Sequence, residues 1–263
     1  MLQEKGRKLI TRIRQNQFLY EELVKRDFKK RYARTILGMG WSVLNPLLQM
    51  LIMRMVFSHF FGRGIPHYTI YLFSGMIIFN YFSESTKEGT PILIDNAPIF
   101  TKINVPKYLF LFAKNTQALI NFLLILILFF VFCALDHVAF TWKFLLLIFP
   151  VVCLVFFNLG IGLVLSAIYV FFRDVLYFWG IFLQLLQYVS ALFYEIESFA
   201  DPIRRLFYLN PVYLYIRYFR EIVLYANVPS IGLHAAILCE AVLFFLAGVL
   251  IYRKYNMEFL YYI

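Results

Sequence analysis

Three groups of residues in this chain have types and spacings that could do chemistry. Arg26, Arg31 and Arg34, beside Asp27 and Tyr32 and shortly before Trp41, form a guanidinium cluster. A planar guanidinium can grip two phosphate oxygens at once, so the cluster suits an anionic headgroup. The second group is aromatic. Tyr188, Phe193 and Tyr194 are followed by Phe207, Tyr208, Tyr213 and Tyr215 around Asn210-Pro211, with Arg220 beyond them. Packing is the default role of any one such ring, but several together can line a path for a polar solute with apolar faces. The third group is Arg54 and Glu240, two charges inside apolar runs. Isolated charges there are costly. They are expected to pair or to face the protein interior. Alternatively, Arg54 snorkels outward and Glu240 takes up a proton.

Other chemistries find no support in the sequence. No G-x-x-x-x-G-K-[ST] occurs, so nothing here cradles a nucleotide phosphate, and H-E-x-x-H is missing as well. His59, His67, His137 and His234 lack metal-ligand spacing. Cys133, Cys153 and Cys239 all lie in apolar stretches, which suits small buried residues rather than disulfides. Catalysis by this chain and a cofactor bound to it are not expected.

The elements that carry these groups follow from hydropathy. Of the 263 residues, 62% are hydrophobic and 15% charged, whereas soluble domains run about half apolar and a quarter charged. The bilayer is the natural solvent for that excess. Charge-free apolar runs predict six spans: 36–61, 65–82, 115–135, 144–172, 175–194 and 231–252, the fourth tilted or kinked near Pro150. The fold class is all-α, a polytopic membrane protein. The run 206–216, between Arg205 and Arg217, is too short to span and is broken by Asn210-Pro211, so it reads as re-entrant short helices before the last span.

Orientation follows from Lys and Arg. Residues 1–35 hold eleven of them, and Lys87, Lys102, Lys107, Arg173, Arg253 and Lys254 fall on the same side. Both termini are therefore expected in the cytoplasm, and the net charge of +10 reflects topology rather than nucleic acid. No short apolar core followed by a small-residue cleavage site occurs in the first 35 residues, so the first span is expected to act as its own insertion signal. Tyr20, Val24, Phe28 and Tyr32 recur every four residues, which predicts an amphipathic helix on the inner leaflet with Lys25, Lys29 and Lys30 off the stripe. The expected parts are an interface segment 1–35, a transmembrane domain 36–256 and a short cytoplasmic tail 257–263.

The ordered set Arg26-Asp27, Arg31-Tyr32, Thr35, Leu37-Gly38, Trp41 and Asn45-Pro46 resembles the approach to the membrane in ABC type-two permeases of the polysaccharide-export group. Lys102 with Val105-Pro106, Arg173-Asp174, and Asn210-Pro211 with Arg220 resemble later landmarks of that group. The chain departs from it at Ser190-Ala191, where Ser-Pro is common, and at Val105-Pro106, where Phe-Pro is common.

The resemblance implies a homodimer of permeases with two separate ATPase subunits that hold ATP and Mg. It also implies export of a lipid-linked glycan of the O-antigen, capsule or teichoic acid type across the bacterial inner membrane. In that light, Arg26, Asp27, Arg31, Tyr32, Arg34 and Trp41 are candidates for headgroup entrance. Tyr188, Phe193, Tyr194, Asn210, Pro211, Tyr213 and Arg220 are candidates for the channel and outer gate. The segment 95–107 is the coupling candidate, together with Arg173 and Asp174. Asp95-Asn96 would cap a short helix, Ile99, Phe100 and Ile103 would form its apolar face, and Pro106 would end it. By topology alone this segment is equally an ordinary inter-helix loop. The alternatives are a permease for another amphipathic substrate, such as a drug or lipid, an ATP-independent flippase, and a membrane enzyme acting on lipid-linked sugar. The last would need catalytic His or carboxylates clustered at one membrane face, and none cluster in the sequence.

Overall fold

A computed structural model describes residues 16–30, 35–62, 64–100, 102, 105–256 and 258–262, and every regular element among them is helical. Arg31, Tyr32, Arg34 and Ile103 lie outside the described residues. The helices are α1 (16–30), α2 (Trp41–Phe61), α3 (Tyr68–Gly89), α4 (Ile92–Asp95), α5 (Ala97–Phe100), α6 (Tyr108–Leu135), α7 (Ile148–Phe171), α8 (Val175–Val189), α9 (Asp201–Phe207), α10 (Pro211–Val223), α11 (Ile231–Tyr255) and α12 (Phe259–Tyr262).

Among the described residues, four helices are long and apolar enough to cross a membrane: α2 with its 3-10 lead-in, α6, α7 with its 3-10 lead-in, and α11. The other two expected spans differ from the expectation for physical reasons. α3 runs on to Gly89 rather than stopping at Phe82, taking Ser83–Gly89 from the expected loop into the helix. Sixteen of its 22 residues are buried, so α3 is the central helix and touches protein rather than lipid on most sides. A helix so placed can keep polar groups if they are bonded. Tyr81 donates to Asn115 of α6 at 2.7 Å, Glu84 accepts from Asn121 at 2.8 Å, and Trp179 of α8 donates to Thr86 at 3.0 Å. α8 has 15 residues, about 22 Å of helix against a hydrocarbon core of about 30 Å. It stops at Val189, short of the expected Tyr194.

Other boundaries shift by a turn or two. α6 begins at Tyr108, ahead of the expected Asn115. Pro150 falls in the first turn of α7, just after its 3-10 lead-in Trp142–Leu147. The expected break at Asn210-Pro211 is present, with α9 on one side and α10 on the other.

The N-terminal helix does not present a bare apolar stripe. Leu23 is 4% exposed, and Leu19, Tyr20 and Val24 pack with it against the lower core of α6 and α7. The Tyr20 hydroxyl lies 2.5 Å from Thr116 Oγ1. Lys25, Lys29 and Lys30 are exposed, as the stripe predicts. Residues 258–262 of the expected free tail fold back, with Phe259 fully buried against Phe171 and Tyr252.

α7 and α11 form the closest helix pair. A Cβ at Gly160 would lie 2.4 Å from the Phe244 carbonyl carbon, and one at Gly248 would lie 2.7 Å from the Gly160 carbonyl oxygen. Backbones in such contact gain dispersion along their length, which is how helices adhere in lipid. Gly160→Leu is expected to part the pair and destabilise the protein by about 1–3 kcal/mol or more. Gly248→Ala should cost less. Thermal loss of the monodisperse size-exclusion peak in detergent measures both, and wild-type stability in Gly160→Leu would contradict this account.

Candidate functional site

Arg220, in the last turn of α10, is 4% exposed. No carboxylate of the described residues pairs with it. Its guanidinium instead serves backbone carbonyls of the turn just beyond α8 and one of α3. Nη1 donates to Ala191 O at 2.8 Å, and Nη2 donates to Leu192 O and Tyr71 O, both at 3.2 Å. A helix C-terminus leaves carbonyls unbonded and partly negative, so a buried cation is well placed there. The guanidinium also lies 3.4 Å from the centroid of the Tyr71 ring, a cation–π contact. Gly75 makes room for it, since a Cβ there would lie 3.0 Å from Nη2.

The turn after α8 is fastened from other sides too. Tyr68 donates to Phe193 O at 3.0 Å and Tyr71 to Tyr194 O at 2.6 Å. Asn210 caps α10, its Oδ1 accepting from Val212 N and Tyr213 N, while its Nδ2 donates to Val189 O and Ser190 Oγ. Pro211 occupies the first position of α10. Ala191 sits at φ 51. Proline holds φ near about −65°, so the Ser-Pro common in the resembled group could not adopt this turn.

Above the clamp lies a cavity of about 530 Å³. Tyr71, Tyr213 and Arg220 form its floor, and Tyr208, Tyr225 and Glu197 lie in its more exposed wall. Arg217 pairs with Glu221 at 2.7 Å and lies over the Tyr208 ring at 5.0 Å. Tyr225 donates to Glu195 at 3.2 Å. Burial, reinforced by Glu195, pushes the Tyr225 hydroxyl up to about 12, so it stays a protonated donor at working pH.

The remaining outer-gate candidates are spread around this turn. Phe193 is buried and stacked on Phe57 of α2, with ring centroids 4.5 Å apart, so it packs rather than lines a path. Tyr188 is 62% exposed on α8, and the Tyr194 hydroxyl donates to its carbonyl at 2.6 Å.

The opposite end of the bundle holds the coupling and entrance candidates. The segment after α3 forms two single turns, α4 and α5, rather than one helix. Asn96 caps backward, donating to Ile92 O at 2.8 Å, although its own carbonyl accepts from Ile99 and Phe100 of α5. The apolar side is turned inward. Phe100 is buried against Phe110 with ring centroids 4.6 Å apart, and Ile99 is half-buried. Asp95, Pro98 and Lys102 are the exposed members. Pro106 precedes α6 and helps to start it, its carbonyl accepting from Leu109, so it does not end a coupling helix. Lys107, next to it, donates to Asn256 O at 2.9 Å, and burial lowers its pKa. Arg173 and Asp174 are exposed between α7 and α8, Arg173 lying 5.5 Å from the Tyr169 ring centroid. In the entrance group, Arg26 is already committed to the buried carboxylate of Asp27 at 2.7 Å, while Trp41 is 43% exposed at the start of α2.

Comparison with known proteins fits this architecture. The sequence profile of the family described as ABC-2 type transporter matches residues 19–224. The chain belongs to the ABC-2 transporter family. Similar proteins include an O-antigen export system permease protein RfbA of Myxococcus xanthus, 28% identical over 96% of this chain and 98% of that protein. A Klebsiella pneumoniae protein of the same name is 26% identical over 78% of this chain and 81% of its own. A polysialic acid transport protein KpsM of Escherichia coli is 24% identical over 78% and 80%.

In this ABC-2 chain Arg54 and Glu240 do not meet among the described residues. Arg54 is exposed on α2, and Glu240 is half-buried on α11 with one carboxylate oxygen enclosed and unpartnered. Several cavity residues were not singled out from the sequence. Glu195-x-Glu197 after an apolar run, and Arg217 with Glu221 one helical turn on, were available signals. Tyr71 gave none, because it lies among other apolar residues of α3.

Arg220→Met should leave the Leu192 carbonyl without its donor, at a cost of about 1–3 kcal/mol, while Tyr71 O and Ala191 O keep bonds from the Ser74 and Tyr71 hydroxyls, and it should lower the thermal midpoint. Arg220→Lys keeps the charge without the fork and should recover only part of that loss. Ala191→Gly should hold or raise the midpoint, and Ala191→Pro should collapse it. A wild-type midpoint in Arg220→Met or Ala191→Pro would refute the clamp.

Proposed function

We propose that this chain is the membrane subunit of an ATP-driven exporter that moves a lipid-linked polysaccharide out of the cytoplasm. The observation that carries the reading is similarity over nearly the full length of both chains to a permease named for O-antigen export. The geometry supports it. The molecule is an apolar helical bundle with a polar, tyrosine-rich cavity at one end and exposed polar turns at the other. A hydrated glycan cannot cross hydrocarbon, so it needs a protein-lined path.

In this reading α3 and α8 are the second and fifth of six crossings, and both termini are cytoplasmic, as the Lys and Arg distribution favours. α1 lies at the inner leaflet with its lysines toward anionic headgroups. Trp41 and the guanidiniums of Arg31 and Arg34 receive the carrier phosphate.

A second copy of the chain completes the path. α2 supports this, because most of its surface is exposed, including Arg54 midway along a span, where lipid would be a costly neighbour. ATP and Mg belong to separate ATPase subunits, since the chain has no phosphate-cradling loop. Those subunits press on α4 and α5 through Asp95 and Lys102, with Arg173 and Asp174 alongside. Teichoic acid or capsular polymers fit the same chemistry as O-antigen.

Purification of the tagged chain from its native host in mild detergent tests this reading. A separate P-loop ATPase should co-purify, with activity that falls several-fold in Asp95→Arg while assembly is kept. Elution of the chain alone, without ATPase activity, would move a stand-alone flippase ahead.

A further inference from the structure

The cavity above Arg220 carries a statement about which part of the cargo it takes. Its wall holds two guanidiniums and three carboxylates. Arg220 is held by three carbonyls, and Arg217 is paired with Glu221. Glu195, bonded to Tyr225, and the exposed Glu197 remain as acceptors. An incoming phosphate or carboxylate would meet three carboxylates against two guanidiniums, a wall of net negative charge, so anions are disfavoured. A metal ion does not fit either, because no group of carboxylates among the described residues converges closely enough to hold one.

A ligand rich in hydroxyls does fit. Ionised carboxylates accept hydrogen bonds at both oxygens, and tyrosine hydroxyls donate and accept. Tyr208 and Tyr225, 38% and 47% exposed, keep ring surface available for the apolar face of a sugar. The volume of about 530 Å³ lies within the roughly 300–1,000 Å³ of small-molecule sites.

We infer that this cavity is a saccharide subsite for uncharged or amine-bearing sugar units, and that it excludes acidic ones. The inference rests on the export reading and deepens it. The glycan is read here by its hydroxyls, and the anionic carrier is recognised elsewhere. A chain with this cavity would not suit an acidic polymer such as the one for which the Escherichia coli relative is named.

The test is saturation-transfer NMR on the full chain, with whatever ATPase co-purifies, in lipid nanodiscs. The probes are a trimer of N-acetylglucosamine, a trimer of glucosamine and a trimer of sialic acid. The first two should bind and the third should not. Glu195→Gln and, separately, the exposed Glu197→Gln should each weaken binding by about tenfold, the loss of one hydrogen bond to a charged acceptor, with an unchanged thermal midpoint. Binding of the sialic acid trimer as strong as the others overturns the inference, as does full affinity in both folded variants or binding by none of the trimers. Deleting the gene separates the two levels. A strain that loses surface polysaccharide while the trimers fail to bind sinks the subsite and leaves export standing. A strain that keeps its polysaccharide removes the basis of both.

Discussion

A guanidinium with no carboxylate partner is the constraint around which the cavity end of this molecule is organised. Burying Arg220 is expensive unless every direction it points offers an acceptor. Two of its acceptors are carbonyls that exist only because α8 stops early and its chain turns through Ala191 at a positive φ, and the third is Tyr71 O on α3. Each feature requires the others. The short helix exposes carbonyls, the arginine satisfies them, and the bonds hold alanine in a conformation it would otherwise leave. Gly75 on α3 is the space that lets the side chain arrive. The cavity floor is therefore a by-product of closing a helix end inside a bundle.

The same economy explains the middle of the bundle. α3 carries Tyr81, Glu84 and Thr86 inside the bundle, each bonded to α6 or α8. A helix with protein on most sides is free of the requirement that its surface dissolve in lipid. α2 is the opposite case, with little of its apolar surface covered by its own chain. Both read as spans in the sequence, α3 only as far as Phe82, yet α3 is the better packed.

This contrast marks what could be read from the sequence. The all-helical class, the apolar bundle, the break at Asn210-Pro211 and the gathering of Tyr213, Arg220 and Tyr194 near one turn were legible, because each depends on local pattern: apolar run length, a proline, a cluster of rings. Family membership was legible in a handful of ordered dipeptides. The end of α8 was not, because Ser190 to Tyr194 is as apolar as a helix and only tertiary bonds from Tyr68, Tyr71 and Arg220 bend it away. Nor was the inward face of α5, since an apolar stripe does not say whether its own chain or a partner covers it. Arg54 and Glu240 looked like a pair because depth along a span can be counted, whereas the rotation of a helix about its axis cannot.

Mechanical continuity is the remaining consequence of α3. Its 22 residues set its ends about 33 Å apart, with Tyr71 under Arg220 at one end and Gly89 leading into α4 at the other. A helix fixed to α8 through Thr86 and to α6 through Tyr81 and Glu84 has no local hinge at which to absorb a displacement. Packed interiors deform little and shift as units. Under the proposed coupling, a push at the α4–α5 turns would reach the Arg220 clamp as movement of the whole rod, unless α3 slides past α10. Arg220 resists that slide because its bonds to Tyr71 on α3 and to the Ala191–Leu192 turn come from one rigid fork. The clamp thus ties the floor of the cavity to the same helix that ends at the opposite face.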